Sequence, residues 1–212
     1  MRTQIMLPCL ALAACATPAP DREPAYASVR ERLTAEPARL FIATQPAAGT
    51  LEARRWSQAD GWVPGTAPVA LQSGELIVHV ADSGQLVTQQ LGFAVDAIDL
   101  PATIAGVPLQ LRDIHMKLAA APPVDIAWAT DDEGTAQVPV ELSLAWSVAV
   151  DGAVTPLGEQ RLTAMPMDIA VHGDGEHVEA MLGIHGRGTL WSWAELLELT
   201  AVDLAITAAT VD

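Results

Sequence analysis

The sequence predicts an all-β fold, either an antiparallel β-sandwich or a partly closed barrel, with one or two short helices. The first observation is that apolar residues recur at every second position over most of the chain after residue 37. The second is that tight-turn residues, chiefly Gly and Asp, separate these alternating segments. Alternation with turns between neighbours is typical of hairpin-linked antiparallel strands, and we predict roughly nine to eleven of them.

The first predicted element is a helix within residues 25–36, AYASVRERLTAE, with its turns near 28–36. Ser28 followed by Glu31 forms a capping box, in which each side chain satisfies a free backbone N–H of the first turn. Tyr26, Val29 and Leu33 share one face, and Pro37 ends the helix.

Two hairpins are predicted next. RLFIAT (39–44) and TLEARRW (50–56) alternate on either side of QPAAG, which predicts an opening hairpin. ELIVHVA and QLVTQQLGFAV are joined by Asp82-Ser83-Gly84, whose glycine suits a tight turn. In PLQLRDIHMKL the alternation slips by one position at Arg112-Asp113, which predicts a β-bulge.

The clearest predicted strand is Val140–Val150. Its apolar residues alternate with small or polar ones, and Leu144 and Trp146 fall on the apolar face. We expect that face to be buried in a central or near-central strand. Asp151-Gly152 then supplies the positive-φ residues of a two-residue hairpin turn.

Three elements are predicted in the C-terminal part. MDIAVHGDGEHVEAMLGI alternates on both sides of a glycine-containing turn and predicts a hairpin. Ser192 and Glu195 form a second capping box, which predicts a short helix over 193–199; the alternative is a continued strand with Trp191 and Trp193 on one face. AVDLAITAATV predicts the last strand.

Composition limits the classes of partner. The net charge is −15, from 11 basic and 26 acidic residues. Nucleic-acid binding is therefore not expected, because it depends on neutralising phosphates, and docking on anionic lipid headgroups is disfavoured for the same reason. Residues 25–212 suit a single β domain, without an apolar run long enough for a transmembrane helix.

The N-terminus predicts an export signal. Residues 1–14 carry one basic residue and a short apolar run that ends in Leu12-Ala13-Ala14-Cys15. This resembles the lipobox of bacterial lipoproteins. The resemblance implies cleavage before Cys15, acylation of Cys15 and attachment to the cell envelope through the lipid, at the outer membrane in a diderm bacterium because Ala16 is not Asp. Residues 15–24 are rich in Pro and Ala and are expected to be a tether. The alternative is an ordinary secretory signal and a secreted protein.

One short segment concentrates metal-ligating residue types. HGDGEH offers His172, Asp174, Glu176 and His177 within six residues. We favour a polar hairpin turn, because ligands on so tight a turn converge poorly, and expect neither metal nor cofactor. TDDEGT (130–135) is interpreted as a solvated turn. Asp82-Ser83-Gly84 is similar to one catalytic triplet of aspartic proteases, but a second triplet is absent from the sequence.

The tryptophans suggest a binding surface. Trp56 and Trp62 bracket the loop-like SQADG. Exposed indoles in such places stack on sugars or anchor protein partners. The alternative is that these two side chains cover the open end of a sandwich.

Three classes of function are compatible with these observations. The first is an envelope-anchored lipoprotein acting as a non-catalytic binding module for an apolar or glycan ligand or a partner protein, whose identity the sequence leaves open. The second is a structural or assembly component of the envelope, and the third is an enzyme with an unrecognised site. A large internal cavity would favour the first class, a filled core with exposed apolar edges the second, and a cleft gathering His and Asp or Glu the third.

Overall fold

The fold is all-β, as the alternation predicts. The computed structural model describes residues 26–104, 107–193 and 196–211. Within this part of the chain lie one short helix and a single antiparallel sheet of twelve strands, one more than the upper end of the prediction. The elements are α1 (Val29–Ala35), β1 (Ala38–Ile42), β2 (Gln45–Ser57), β3 (Gly61–Val80), β4 (Gln85–Val95), β5 (Ile98–Ile104), β6 (Val107–Ala120), β7 (Val124–Asp125), β8 (Ala127–Thr130), β9 (Glu133–Val150), β10 (Ala153–Gly173), β11 (Val178–Trp193) and β12 (Leu197–Ala209).

The sheet closes on itself into a ring, so the architecture lies between a sandwich and a partial barrel. Hydrogen-bonded neighbours run β3, β2, β12, β11, β10, β9, β6, β4, and β4 pairs again with β3. The short strands β5, β7 and β8 pair with β6, β4 and β9, respectively. Closure of the ring leaves few free backbone groups along its long strands.

The predicted opening hairpin was wrong. β1 and β2 do not pair with each other, because both run alongside the 20-residue β3. β1 pairs with the second half of β3 and β2 with the first half, so QPAAG is the irregular start of β2, where the register with β3 shifts between Gln45 and Gly49. Gly49 is required there, since it has φ +154° and a Cβ would lie 1.9 Å from the Asp203 carbonyl oxygen.

The central strand and its turn are confirmed. β9 lies between β10 and β6, and Leu144 and Trp146 are buried. Asp151 and Gly152 have φ 50° and 76°, as a two-residue hairpin turn requires. The bulge is also confirmed, because the β6–β9 register shifts beside Asp113, which has φ 53°.

The helix predicted over 193–199 was wrong. Trp193 ends β11, and Leu197–Leu199 belong to β12, which pairs with β11 on the other side of the turn. Trp191 lies opposite Leu199, and Trp193 lies opposite Leu197. Cross-strand pairing therefore overrides the local capping pattern, and the alternative of a continued strand is correct for the described residues. Glu195 lies outside the described residues.

The apolar faces of the strands fill the inside of the ring. Trp146 is 4% exposed and packs edge-on against Trp191, with ring centroids 4.3 Å apart. Beside Trp146, the interior contains a cavity of only about 20 Å³. Ligand pockets usually measure about 300–1,000 Å³. Among the described residues, the interior is thus packed and lacks a ligand-sized cavity there.

The helix predicted near 28–36 is confirmed as α1. The Ser28 hydroxyl accepts from the Glu31 N–H, and the Glu31 carboxylate accepts from the Ala27 N–H. Val29 and Leu33 are fully buried against the core. No helix in the described ranges has the length and apolar character needed to cross a membrane.

Candidate functional site

The candidate site lies at the tip of the β2–β3 hairpin. Trp56 and Trp62 are directly opposite each other in the strand register, which brings both indoles to the same face. Their ring centroids lie 5.7 Å apart at an interplanar angle of 69°, an edge-to-face contact. The pair forms a two-indole surface, called here the Trp56–Trp62 surface.

The guanidinium of Arg54 stabilises this surface from the side. The Arg54 guanidinium lies over the Trp62 ring, 4.8 Å from its centroid, in a cation–π contact. Its Nε also donates to the Glu198 carboxylate on β12. Arg54 is therefore held between Trp62 and Glu198, and Trp62 is held between Arg54 and Trp56. These contacts fix the position of the Trp62 indole.

Polar groups lie beside the indoles in the turn. The Ser57 hydroxyl donates to the Asp60 carboxylate at 3.4 Å, and Gly61 has φ 72°, which closes the turn. Asp60 is exposed. The tip thus combines a broad apolar face with a carboxylate, a hydroxyl and a guanidinium.

The alternative that these tryptophans cover the open end of a sandwich does not match the packing. Neither Trp56 nor Trp62 belongs to the apolar core, and Trp56 remains 45% exposed. By contrast Trp146, predicted as core, is buried, and Trp128 is half-buried against the core. The two indoles at the hairpin tip contact each other on the outside of the ring.

The HGDGEH segment is the β10–β11 turn, and it docks α1. The Asp174 carboxylate accepts from the backbone N–H groups of Glu176 and His177 at 2.9 and 2.7 Å. Hydrogen bonds from the His177 and Glu176 backbone lower the pKa of Asp174 below its usual value. Arg32 of α1 donates to the carbonyl oxygens of Gly175 and Glu176.

His172 points to a different partner, Glu179, with Nε2 3.1 Å from the carboxylate. His177 Nδ1 lies 3.6 Å from Asp174. The four candidate ligands are thus divided between a turn and a cross-strand pair. Across the described ranges, no three or more His, Cys, Asp or Glu side chains are grouped so as to hold a metal ion.

TDDEGT also holds α1. The Asp132 carboxylate accepts from the Val29 N–H at 3.1 Å, and the Asp131 carbonyl accepts from the Arg30 N–H at 2.9 Å. These acceptors satisfy two of the free donors in the first turn of the helix, where negative charge is also favourable. The acidic turn is structural. Asp82-Ser83-Gly84 forms the β3–β4 turn, as predicted.

Sequence reasoning missed one side-chain group on the outer face of the ring. His185 on β11 lies between Asp203 on β12 and Asp168 on β10, with Nδ1 2.7 Å from Asp203 and Nε2 3.6 Å from Asp168. These residues come from three strands, so no local spacing predicts their meeting. The only available signal was that each occupies an outward position in its alternating strand.

Cys15 and the tether at 15–24 lie outside the described residues. Comparison of the chain with protein-family models, with curated proteins and with solved structures finds no match.

Proposed function

We propose that this protein is a non-catalytic binding module, anchored to the bacterial cell envelope through Cys15, that holds a neutral glycan on the Trp56–Trp62 surface. The observation that carries the proposal is the exposed Trp56 indole, braced edge-on by Trp62. A rigid exposed indole offers a large apolar face at little cost in conformational entropy. The apolar C–H face of a sugar ring matches such a surface.

The polar groups beside the indoles suit the edges of a sugar. Arg54 presents donors, and Asp60 presents acceptors, on the same hairpin. Sugar hydroxyls both donate and accept, so they can satisfy both groups without a net charge on the ligand. A mixed apolar and polar surface of this kind favours a glycan over a purely apolar ligand.

The net charge and the packed interior limit the class of ligand further. The net charge of −15 repels polyanions, so an uncharged glycan is favoured over an anionic one. The packed interior beside Trp146 argues against an apolar ligand held inside the ring. A packed core with exposed apolar side chains at its edges also supports the second candidate, an assembly component that binds a partner protein through the same surface.

Anchoring rests on the lipobox-like residues Leu12-Ala13-Ala14-Cys15. Several acyl chains give stable membrane attachment, whereas one gives only marginal binding. The tether at 15–24 would link that anchor to α1. Placement at the outer membrane follows the lipoprotein sorting pattern, with Ala16 after the cysteine.

Isothermal titration calorimetry with uncharged oligosaccharides tests the binding proposal. N-acetylglucosamine and glucose tetramers are titrated into the protein and into the Trp56→Ala variant. Truncation of a central anchor typically costs about 2 kcal/mol or more, so we expect affinity to fall by roughly 30-fold or more.

Phe41→Ala is the matched control. Phe41 is 43% exposed and has the Arg39 guanidinium 5.4 Å from its ring centroid, but it lacks a second aromatic partner among its described contacts. We expect this variant to bind as the parent does. Binding unaffected by Trp56→Ala would contradict the glycan site, and capture of a partner protein that depends on Trp56, without sugar binding, would favour the assembly class.

A further inference from the structure

The outer-face group consists of His185, Asp203 and Asp168, and its central atom is the Nε2 nitrogen of His185. His185 Nδ1 lies 2.7 Å from the Asp203 carboxylate, within hydrogen-bond distance. Because a carboxylate only accepts, Nδ1 is the donor, and in the neutral form of the ring the lone pair is then on Nε2. Arg187 donates to the other Asp203 oxygen at 3.3 Å, which holds that carboxylate in place.

Asp168 is oriented in the same way. Its Oδ1 accepts from the Gln137 side-chain amide at 2.9 Å. Its Oδ2 lies 3.6 Å from His185 Nε2, too far for a hydrogen bond. Two atoms with lone pairs therefore face each other across a gap, and each belongs to a side chain held from its far side.

The gap fits a cation. Zinc binds histidine nitrogen at about 2.0–2.1 Å and carboxylate oxygen at about 2.0–2.2 Å. Two such bonds span 3.6 Å with a wide angle at the metal. Metal-binding histidines usually donate their other ring N–H to a carboxylate, as His185 does to Asp203.

Gly183 keeps this nitrogen accessible. It lies opposite Asp168 in the register, and a Cβ at this position would lie 2.9 Å from His185 Nε2. Gly183, Asp168 and Gln137 also line an outer groove of about 670 Å³. The His185 and Asp168 side chains are 44% and 55% exposed, so water and ions can reach the pair, and a side chain at 183 would obstruct Nε2.

We propose that His185 Nε2 and Asp168 Oδ2 form an exchangeable site for a divalent transition-metal ion, with Zn²⁺ as the probe ion and water completing its coordination. Two protein ligands make this a reversible surface site, in contrast to the three or four ligands of catalytic and structural zinc sites. The site is independent of the Trp56–Trp62 surface, which lies at the tip of another hairpin.

Titration of ZnCl₂ into untagged protein, followed by calorimetry, tests the site. We expect one ion per chain, and loss of that binding in His185→Gln. Asp203→Ala should weaken binding by roughly 10–100-fold, because it removes the acceptor that orients the ring. Gly183→Ala should also weaken it by obstructing Nε2.

His172→Gln is the matched control, since His172 is also paired with a carboxylate, Glu179, but at a hydrogen-bond distance of 3.1 Å. We expect zinc binding to survive this change. Nitrogen-detected NMR of the imidazoles gives a second readout, with zinc shifting Nε2 of His185 in the folded parent protein. Absence of zinc binding, or binding lost in His172→Gln and kept in His185→Gln, would overturn the proposal.

Discussion

The carbonyl oxygen of Tyr26 lies so close to Gly175 that a Cβ at 175 would be 1.8 Å from it. This contact brings the start of the helical segment onto the β10–β11 turn. The close approach is a steric reason for glycine at position 175, the second glycine of HGDGEH. Backbone conformation is not the reason, since Gly175 does not have a positive φ.

Gly175→Ala should loosen α1 from the ring. The added methyl must displace backbone, so we expect a loss of about 1–3 kcal/mol in the free energy of unfolding, as in other overpacked sites. Urea denaturation measures the loss, and hydrogen exchange over 29–35 locates it. Gly92→Ala is the control, because its Cβ would find ordinary contacts at 3.8 Å and beyond. Equal stability of the two variants would contradict tight docking.

Trp146→Ala should destabilise the protein by about 3–5 kcal/mol, the range for large-to-small changes at buried aromatic residues. The indole is 4% exposed and packs against Trp191, so its removal leaves a cavity. Urea denaturation monitored by circular dichroism gives the value. Trp56→Ala serves as the half-exposed counterpart and should cost only about 0.5–1.5 kcal/mol, the range for an edge-to-face aromatic pair. A small effect at Trp146 would mean that the interior is less packed than described.

Asp174 should make the protein sensitive to acid. Hydrogen bonds from the His177 and Glu176 backbone lower the folded-state pKa of Asp174 below its unfolded value. Its contribution is therefore complete above the unfolded pKa and is lost as the pH falls through the folded pKa. Asp174→Asn should flatten the stability profile below about pH 4. Asp82→Asn, in another exposed turn, is the comparison; identical profiles for both variants would argue against this role of Asp174.

Cys15→Ala should leave the signal segment uncleaved by lipoprotein signal peptidase and abolish incorporation of labelled fatty acid. The reason is that the thiol of Cys15 is the proposed acylation site in Leu12-Ala13-Ala14-Cys15. Cys9→Ala changes the other cysteine of the chain and should be labelled as the parent is. Labelling that persists in Cys15→Ala would exclude the lipoprotein proposal.

Alternation and turn chemistry were enough to predict the all-β class and several individual elements. The register of β9 follows from its alternating residues, and the bulge beside Asp113 follows from a slip in that alternation. Both features are local, so the residues themselves contain the information. Trp56 and Trp62 could be placed on either side of the loop-like SQADG for this reason, although their pairing across the β2–β3 hairpin and the contact with Arg54 were not predicted.

Features that depend on distant pairing were not predicted. QPAAG has the composition of a turn, yet it begins β2, because β3 is long enough to pair with both β1 and β2. Ser192 and Glu195 match a capping box, but β11 and β12 continue their ladder to Trp193 and Leu197. The meeting of His185, Asp168 and Asp203 likewise depends on the order of three strands in the ring.

The pairing of β1 with β12 bears on the order in which the chain can acquire its structure. Phe41 lies opposite Ala209, and β12 also pairs with β2 and β11. β12 is the last of the described strands along the chain, so the edges of β1 and β2 that it pairs with stay open until it joins the ring. A nonsense mutation just before β12 would leave those edges unpaired, and the truncated product would be prone to aggregate or to be degraded.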